Sequence, residues 1–100
     1  MYTVDLLAVG RGQHVVDAAV NYVDHLGYRV LGTTTDDQAR AILERETVRL
    51  LVLGGGVEPD SRTALTAWAT AQGTTVIQAE RRGRDIEQYL AEEVVPVLRT

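Results

Sequence analysis

An α/β fold built on a parallel sheet is what this chain of 100 residues predicts. Three observations lead there. Short aliphatic runs alternate with segments whose apolar residues recur at helical spacing, giving the order βαβαβαβα. The run Val48-Arg49-Leu50-Leu51-Val52-Leu53 is apolar enough to be a strand covered on both faces, as in the middle of a parallel sheet. The turns that follow this run and the first run, Gly54-Gly55-Gly56 and Gly10-Arg11-Gly12, are rich in glycine, so the backbone can leave the sheet sharply. The expected architecture is a three-layer sandwich: one domain over residues 1–100, a four-stranded parallel sheet, and helices on both faces.

Each element has its own signal. Residues 3–9 form the first strand. From Gln13 to Leu26, Val16, Ala19, Val20, Val23 and Leu26 mark one helical face, and Gly27 ends the helix as a left-handed cap. Tyr28 to Leu31 is a second strand. Thr35-Asp36-Asp37-Gln38 has the form of a capping box and opens a helix that runs to about Arg45, with Ala39, Ile42 and Leu43 inward. After the strand at 48–53, Ser61 or Asp60 caps a third helix carrying Leu65, Trp68 and Ala69, and Gly73 stops it. Thr74 to Ala79 is the fourth strand. A last helix begins near Arg84 with Ile86, Tyr89, Leu90, Val94, Val97 and Leu98 on one stripe. Pro96 lies inside that pattern and should bend or confine it.

Two strand orders fit this alternation. In the flavodoxin-like order, 2-1-3-4, strands 1 and 3 are central neighbours; in the dinucleotide-binding order, 3-2-1-4, strand 3 lies nearer an edge. The third strand is the most continuously apolar, and the second is short and carries Tyr28 and Arg29. The order 2-1-3-4 follows.

Composition removes several chemistries. There is no Cys, which excludes disulfides, thiolate catalysis and Cys-ligated metals. All ten basic residues are Arg, so Schiff-base chemistry and a phosphate-binding lysine are excluded too. A net charge of −4 argues against nucleic-acid binding, and the short Arg81-Arg82-Gly83-Arg84 cluster reads as a solvated loop. No apolar run approaches a membrane span, and Met1-Tyr2-Thr3-Val4-Asp5 is not a secretion signal. The expected location is the cytoplasm.

Leu26-Gly27-Tyr28-Arg29-Val30, Thr35 to Glu46, and Arg49-Leu50-Leu51-Val52-Leu53 together resemble the helix–Gly–strand junction, second helix and central strand of a response-regulator receiver domain. The resemblance covers about half the chain and implies a flavodoxin-like fold. It does not carry the family's chemistry across. Gly10 and Arg11 stand where a receiver has its paired acids, Gly54 where it has the phosphate-accepting Asp, and Glu80 where it has Thr or Ser; the family's Lys is missing. The resemblance thus implies a non-catalytic interaction or regulatory module that cannot undergo aspartyl phosphorylation.

In an open α/β sheet, ligands bind beyond the carboxyl ends of the strands where the strand order reverses. For 2-1-3-4 that point lies between strands 1 and 3, the two strands with glycine-rich exits. Gly10, Gly12, Gly54, Gly55 and Gly56 would present amides and helix N-termini to one crevice. Arg11 would add a guanidinium, and Thr35 and Ser61 hydroxyls. Such a crevice suits a small anion, for example a nucleotide or phosphometabolite, although the same glycines also serve simply to turn the chain. Gly10-Arg11-Gly12-Gln13-His14-Val15 also resembles a dinucleotide fingerprint with Val for its third glycine and Asp36 near the ribose position, but Val15 would obstruct the close helix packing. His14 lies near the crevice. His14 and His25 are three helical turns apart, too far for one metal site. Glu58 and Asp60 read as capping acids or as an acid/base pair. No catalytic triad, metal set or cofactor motif is recognisable.

With no fifth strand, strand 4 becomes an edge carrying neither charge nor proline. A homodimer through strand 4 or the last helix would cover it, with Val95 and Pro96 supporting a helical interface. In a monomer, the Arg81–Arg84 loop and the last helix would shield it instead.

Overall fold

The sheet has the order β2-β1-β3-β4, with every pairing parallel. The computed structural model describes Met1 to Thr100. Its strands are β1 (Val4–Val9), β2 (Val30–Thr33), β3 (Val48–Leu53) and β4 (Thr75–Gln78). Between them run α1 (Gln13–His25), α2 (Asp36–Arg45) and α3 (Pro59–Ala71), and a final rod comprises α4 (Ile86–Tyr89), a π-helical segment (Leu90–Val94) and α5 (Val95–Leu98). Leu7 of β1 lies beside Leu51 of β3, which lies beside Val76 of β4. No helix is long and apolar enough to cross a membrane.

Alternation along the strands builds two cores. Leu7 and Val9 of β1 and Leu51 and Leu53 of β3 meet Ile42, Leu43, Leu65 and Ala69 of α2 and α3. Leu6 and Ala8, with Leu50 and Val52, meet Ala19 and Val23 of α1 and Leu90 and Val94 of the last rod. Both faces of β1 and β3 are therefore covered, which is why these strands read as unbroken apolar runs. Arg49 interrupts the run for a reason. Its guanidinium donates to the carbonyls of Leu98 (2.7 Å) and Thr100 (2.8 Å), satisfying the open end of α5.

Helix ends follow the local chemistry, with two corrections. Gly27 (φ 94°) and Gly73 (φ 80°) end α1 and α3 in the left-handed region that favours glycine. Thr35 caps α2, accepting from the Gln38 amide, but the Gln38 side chain does not close the box; it accepts from the Thr33 hydroxyl instead. Ser61 does not cap α3. That helix opens three residues earlier, with Glu58 at the cap position and Pro59 at its start, where a missing N–H costs nothing. The second strand is also displaced: it begins at Val30, and Gly32 lies within it. A Cβ at Gly32 would stand 2.6 Å from both Val16 and Val20, so glycine lets α1 seat tightly on β2.

The last rod departs from the expected stripe. Pro96 has no N–H to offer the carbonyl four residues back. The chain answers with one wide turn, in which the Val95 amide bonds to the Leu90 carbonyl five residues back. That extra residue rotates the remainder of the rod. Val95 is consequently buried (6 % exposed) and Val97 faces outward (36 %), the reverse of the expected placement. Val95 is thus unavailable to a helical interface.

Candidate functional site

The exits of β1 and β3 lie side by side, as the strand order requires. The Gly54 amide donates to the Val9 carbonyl at 2.7 Å. A Cβ on Gly54 would come within 3.3 Å of that carbonyl and 3.4 Å of Gly10 Cα, so glycine permits this close approach of two backbones. An Asp there would force Val9 to give by a few tenths of an ångström.

On the α1 side of this junction lies a cleft of about 280 Å³ between α1 and α4. Its floor is Leu6, Ala8 and Val52; Val16, Ala19 and Leu90 form its walls. The small side chains of Ala8 and Ala19 leave the space. At the mouth stand both glycine turns, Arg11, Val15 and Arg81. No carboxylate, imidazole, hydroxyl or thiol lines it.

Backbone donors collect at this mouth. The amides of Arg11, Gly12, Gly55 and Gly56 have no acceptor within the protein, nor do those of Gln13, His14 and Val15 in the first turn of α1. Gly12, at the cap position of α1, has no side chain to satisfy them. The five glycines and the arginine expected at the crevice, Gly10, Gly12, Gly54, Gly55, Gly56 and Arg11, all line the cleft.

Thr35 and Ser61 are not in that lining. Thr35 caps α2, and Ser61 belongs to a polar network centred on Arg11. Arg11 donates from Nε to Glu58 (2.8 Å), from one terminal nitrogen to the Thr34 carbonyl (2.9 Å), and from the other to Asp36 (2.6 Å). Ser61 donates to the second oxygen of Asp36. The guanidinium therefore ties the β1–α1, β2–α2 and β3–α3 loops together. The Ser61 hydroxyl and then Arg11 hold the Asp36 carboxyl below its ordinary range, Arg11 does the same for Glu58, and both acids hold the guanidinium firmly charged. Glu58 and Asp36, weighed as an acid/base residue and a ribose contact, are thus engaged with Arg11.

Arg81 is the residue that sequence reasoning passed over. The 80–84 loop holds three arginines. Arg84 pairs with Glu92 (2.8 Å) and Glu93 (3.0 Å), and donates to the Arg81 and Glu80 carbonyls, fixing the loop. Arg82, in the left-handed region at φ 53°, pairs with Glu80. The Arg81 guanidinium makes no hydrogen bond or ion pair, and Arg81 lines the cleft. Spacing alone gave no way to tell which of the three would be left free. The two histidines do not line the cleft, and no group of three or more His, Asp or Glu is placed to hold a metal ion.

A de novo designed Rossmann fold protein is similar to this chain over 87 % of its length and 92 % of the designed chain, at 15 % sequence identity and a TM-score of 0.56. The likeness shows a Rossmann-like α/β fold. No protein-family model matches the chain, and no curated protein does.

Proposed function

We propose that this chain is a non-catalytic binding module whose cleft, at the carboxyl ends of β1 and β3, takes a small anionic ligand. The observation that carries this reading is the convergence of two glycine turns whose amides lack acceptors on one cleft at the switch point of the sheet. Oriented amides attract an anion without any charged side chain. The absence of an acid, base or nucleophile from the lining supports binding over catalysis. The likeness to a receiver belongs within this proposal: with Gly10, Arg11 and Gly54 in place of acids, such a module would act through what it binds. The test is a thermal-shift panel of nucleotides, phosphometabolites and carboxylates on the wild type and on Gly55→Asp. A Cβ at Gly55 meets nothing within 4 Å, so this variant should fold normally while repelling anions. A hit in the wild type that Gly55→Asp loses supports the reading; a panel that stabilises neither protein refutes it.

One observation favours a second reading, self-association. β4 is a sheet edge, Val76 and Ile77 on it are only half-buried, and no side chain of this segment is charged or proline. Antiparallel pairing of two β4 edges would supply the missing neighbour. Sedimentation at micromolar concentration separates dimer from monomer, and a single 10.9 kDa species would end this reading.

A further inference from the structure

We infer that the ligand of this cleft is a carboxylate on an apolar body of about six to eight carbons, bound tail-first between α1 and α4 with its head at the glycine turns and Arg81. The inference rests on the anion-binding reading and narrows it.

The chemistry of the cleft separates by depth. Below the turns, the floor and walls are hydrocarbon: Leu6, Ala8, Val52, Ala19 and Leu90, with no polar side chain among them. A sugar, a ribose or an inorganic anion placed there would lose its water and find no partner. An alkyl or aryl body loses nothing by entering and is driven in by the burial of its own surface. At roughly 30 Å³ per water-sized group, about 280 Å³ accommodates about nine groups. That sets the length of the tail.

The head is limited by charge. Arg11 reaches the mouth, but its three donating nitrogens are committed to Glu58, Thr34 and Asp36. Arg81 is the single cation of the lining without a partner. One free guanidinium and a few oriented amides match a single negative charge, and a guanidinium meets a carboxylate in a planar, two-pronged fit. A polyphosphate would bring several charges against one.

Isothermal titration with butanoate, hexanoate, octanoate and decanoate, alongside octanol, inorganic phosphate and AMP, tests this. Affinity should rise about fourfold per added methylene, the transfer value of a buried CH₂ group, and level off near octanoate. Octanol should bind at least tenfold more weakly than octanoate. Ala19→Leu, which fills the cleft, should cost at least tenfold. Val15 is 40 % exposed at the mouth, in the first turn of α1, where an acid suits the helix dipole. Val15→Glu should therefore fold well, weaken octanoate at least tenfold and leave octanol unchanged. Arg81→Gln should shrink the acid–alcohol difference and preserve the dependence on chain length. Binding of phosphate or AMP that Ala19→Leu does not disturb, with no binding of octanoate, would overturn this inference and leave the anion reading standing. Equal affinity for octanol and octanoate would overturn it as well. No binding by any of these compounds would remove both.

Discussion

The two sides of the β1/β3 junction are built from the same loops and are opposite in character. Towards α2 and α3, the polar groups at the junction are paired with one another: Arg11, Asp36, Glu58, Ser61 and the Thr34 carbonyl form one network. Towards α1 and α4, amides and one guanidinium have none, and the space below them is apolar and unfilled. A side that is already satisfied stabilises the protein; a side with open donors over an open cavity can receive something. The contrast separates the two arginines. Arg11, beside the glycines in sequence, is a clamp between loops, and Arg81, in what looks like a solvated loop, faces the cleft.

Substitutions can break this comparison. The largest effect belongs to the packed side. Leu53 is fully buried at the end of β3 against α3, and Leu53→Ala should cost about 2–5 kcal/mol in urea unfolding, the range for a leucine removed from a packed core. Gly32→Ala comes next. Its Cβ would collide with Val16 and Val20 at 2.6 Å, so α1 must move off β2 at a cost of about 1–3 kcal/mol. Because α1 forms one wall of the cleft, this variant should also weaken any ligand held there.

Arg11→Ala should cost about 1–2 kcal/mol, since its bonds to Asp36 and the Thr34 carbonyl are charge-assisted and only partly shielded from water. It should also change the acid limb of the stability curve. The Asp36 carboxyl is held below its ordinary value of 3.8 by Ser61 and Arg11. Its contribution is present above that value and is lost as pH falls through the lower folded one, because the unfolded chain takes up the proton first. The wild type should therefore lose stability below about pH 4 more steeply than Arg11→Ala, as urea melts at pH 6, 4 and 3 would reveal. Parallel curves would mean that the network contributes nothing. The smallest effect belongs to the open side: Ala19→Leu should change stability by less than about 1 kcal/mol, because the added carbons enter existing space. A cost comparable to that of Leu53→Ala would mean that there is no usable cleft.

Much of the fold was legible because it depends on pattern. The apolar run of β3 gave its central place, and Gly27 and Gly73 gave the ends of α1 and α3. Misreadings arose where one atom decided the outcome. Ser61 looks like a cap, yet Pro59 can open the helix earlier and the serine hydroxyl then meets Asp36. Val95 looks outward on a regular helix, but the amide missing from Pro96 forces a wide turn that buries it. The second strand reads as ending at Leu31, yet it continues through Gly32, which is a contact point for α1. The placement of the glycine turns at one mouth followed from strand order. The pairing of Arg11 and the freedom of Arg81 depend on contacts between distant segments, which no local spacing encodes.

Amide chemical shifts of the ¹⁵N-labelled protein during an octanoate titration test the central claim most directly. The account predicts saturable shifts at Arg11, Gly12, Gly55 and Gly56 and along α1 near Ala19, with the Asp36 and Ser61 amides unmoved. Shifts confined to the β4 edge, or to the Arg11 network, would contradict it.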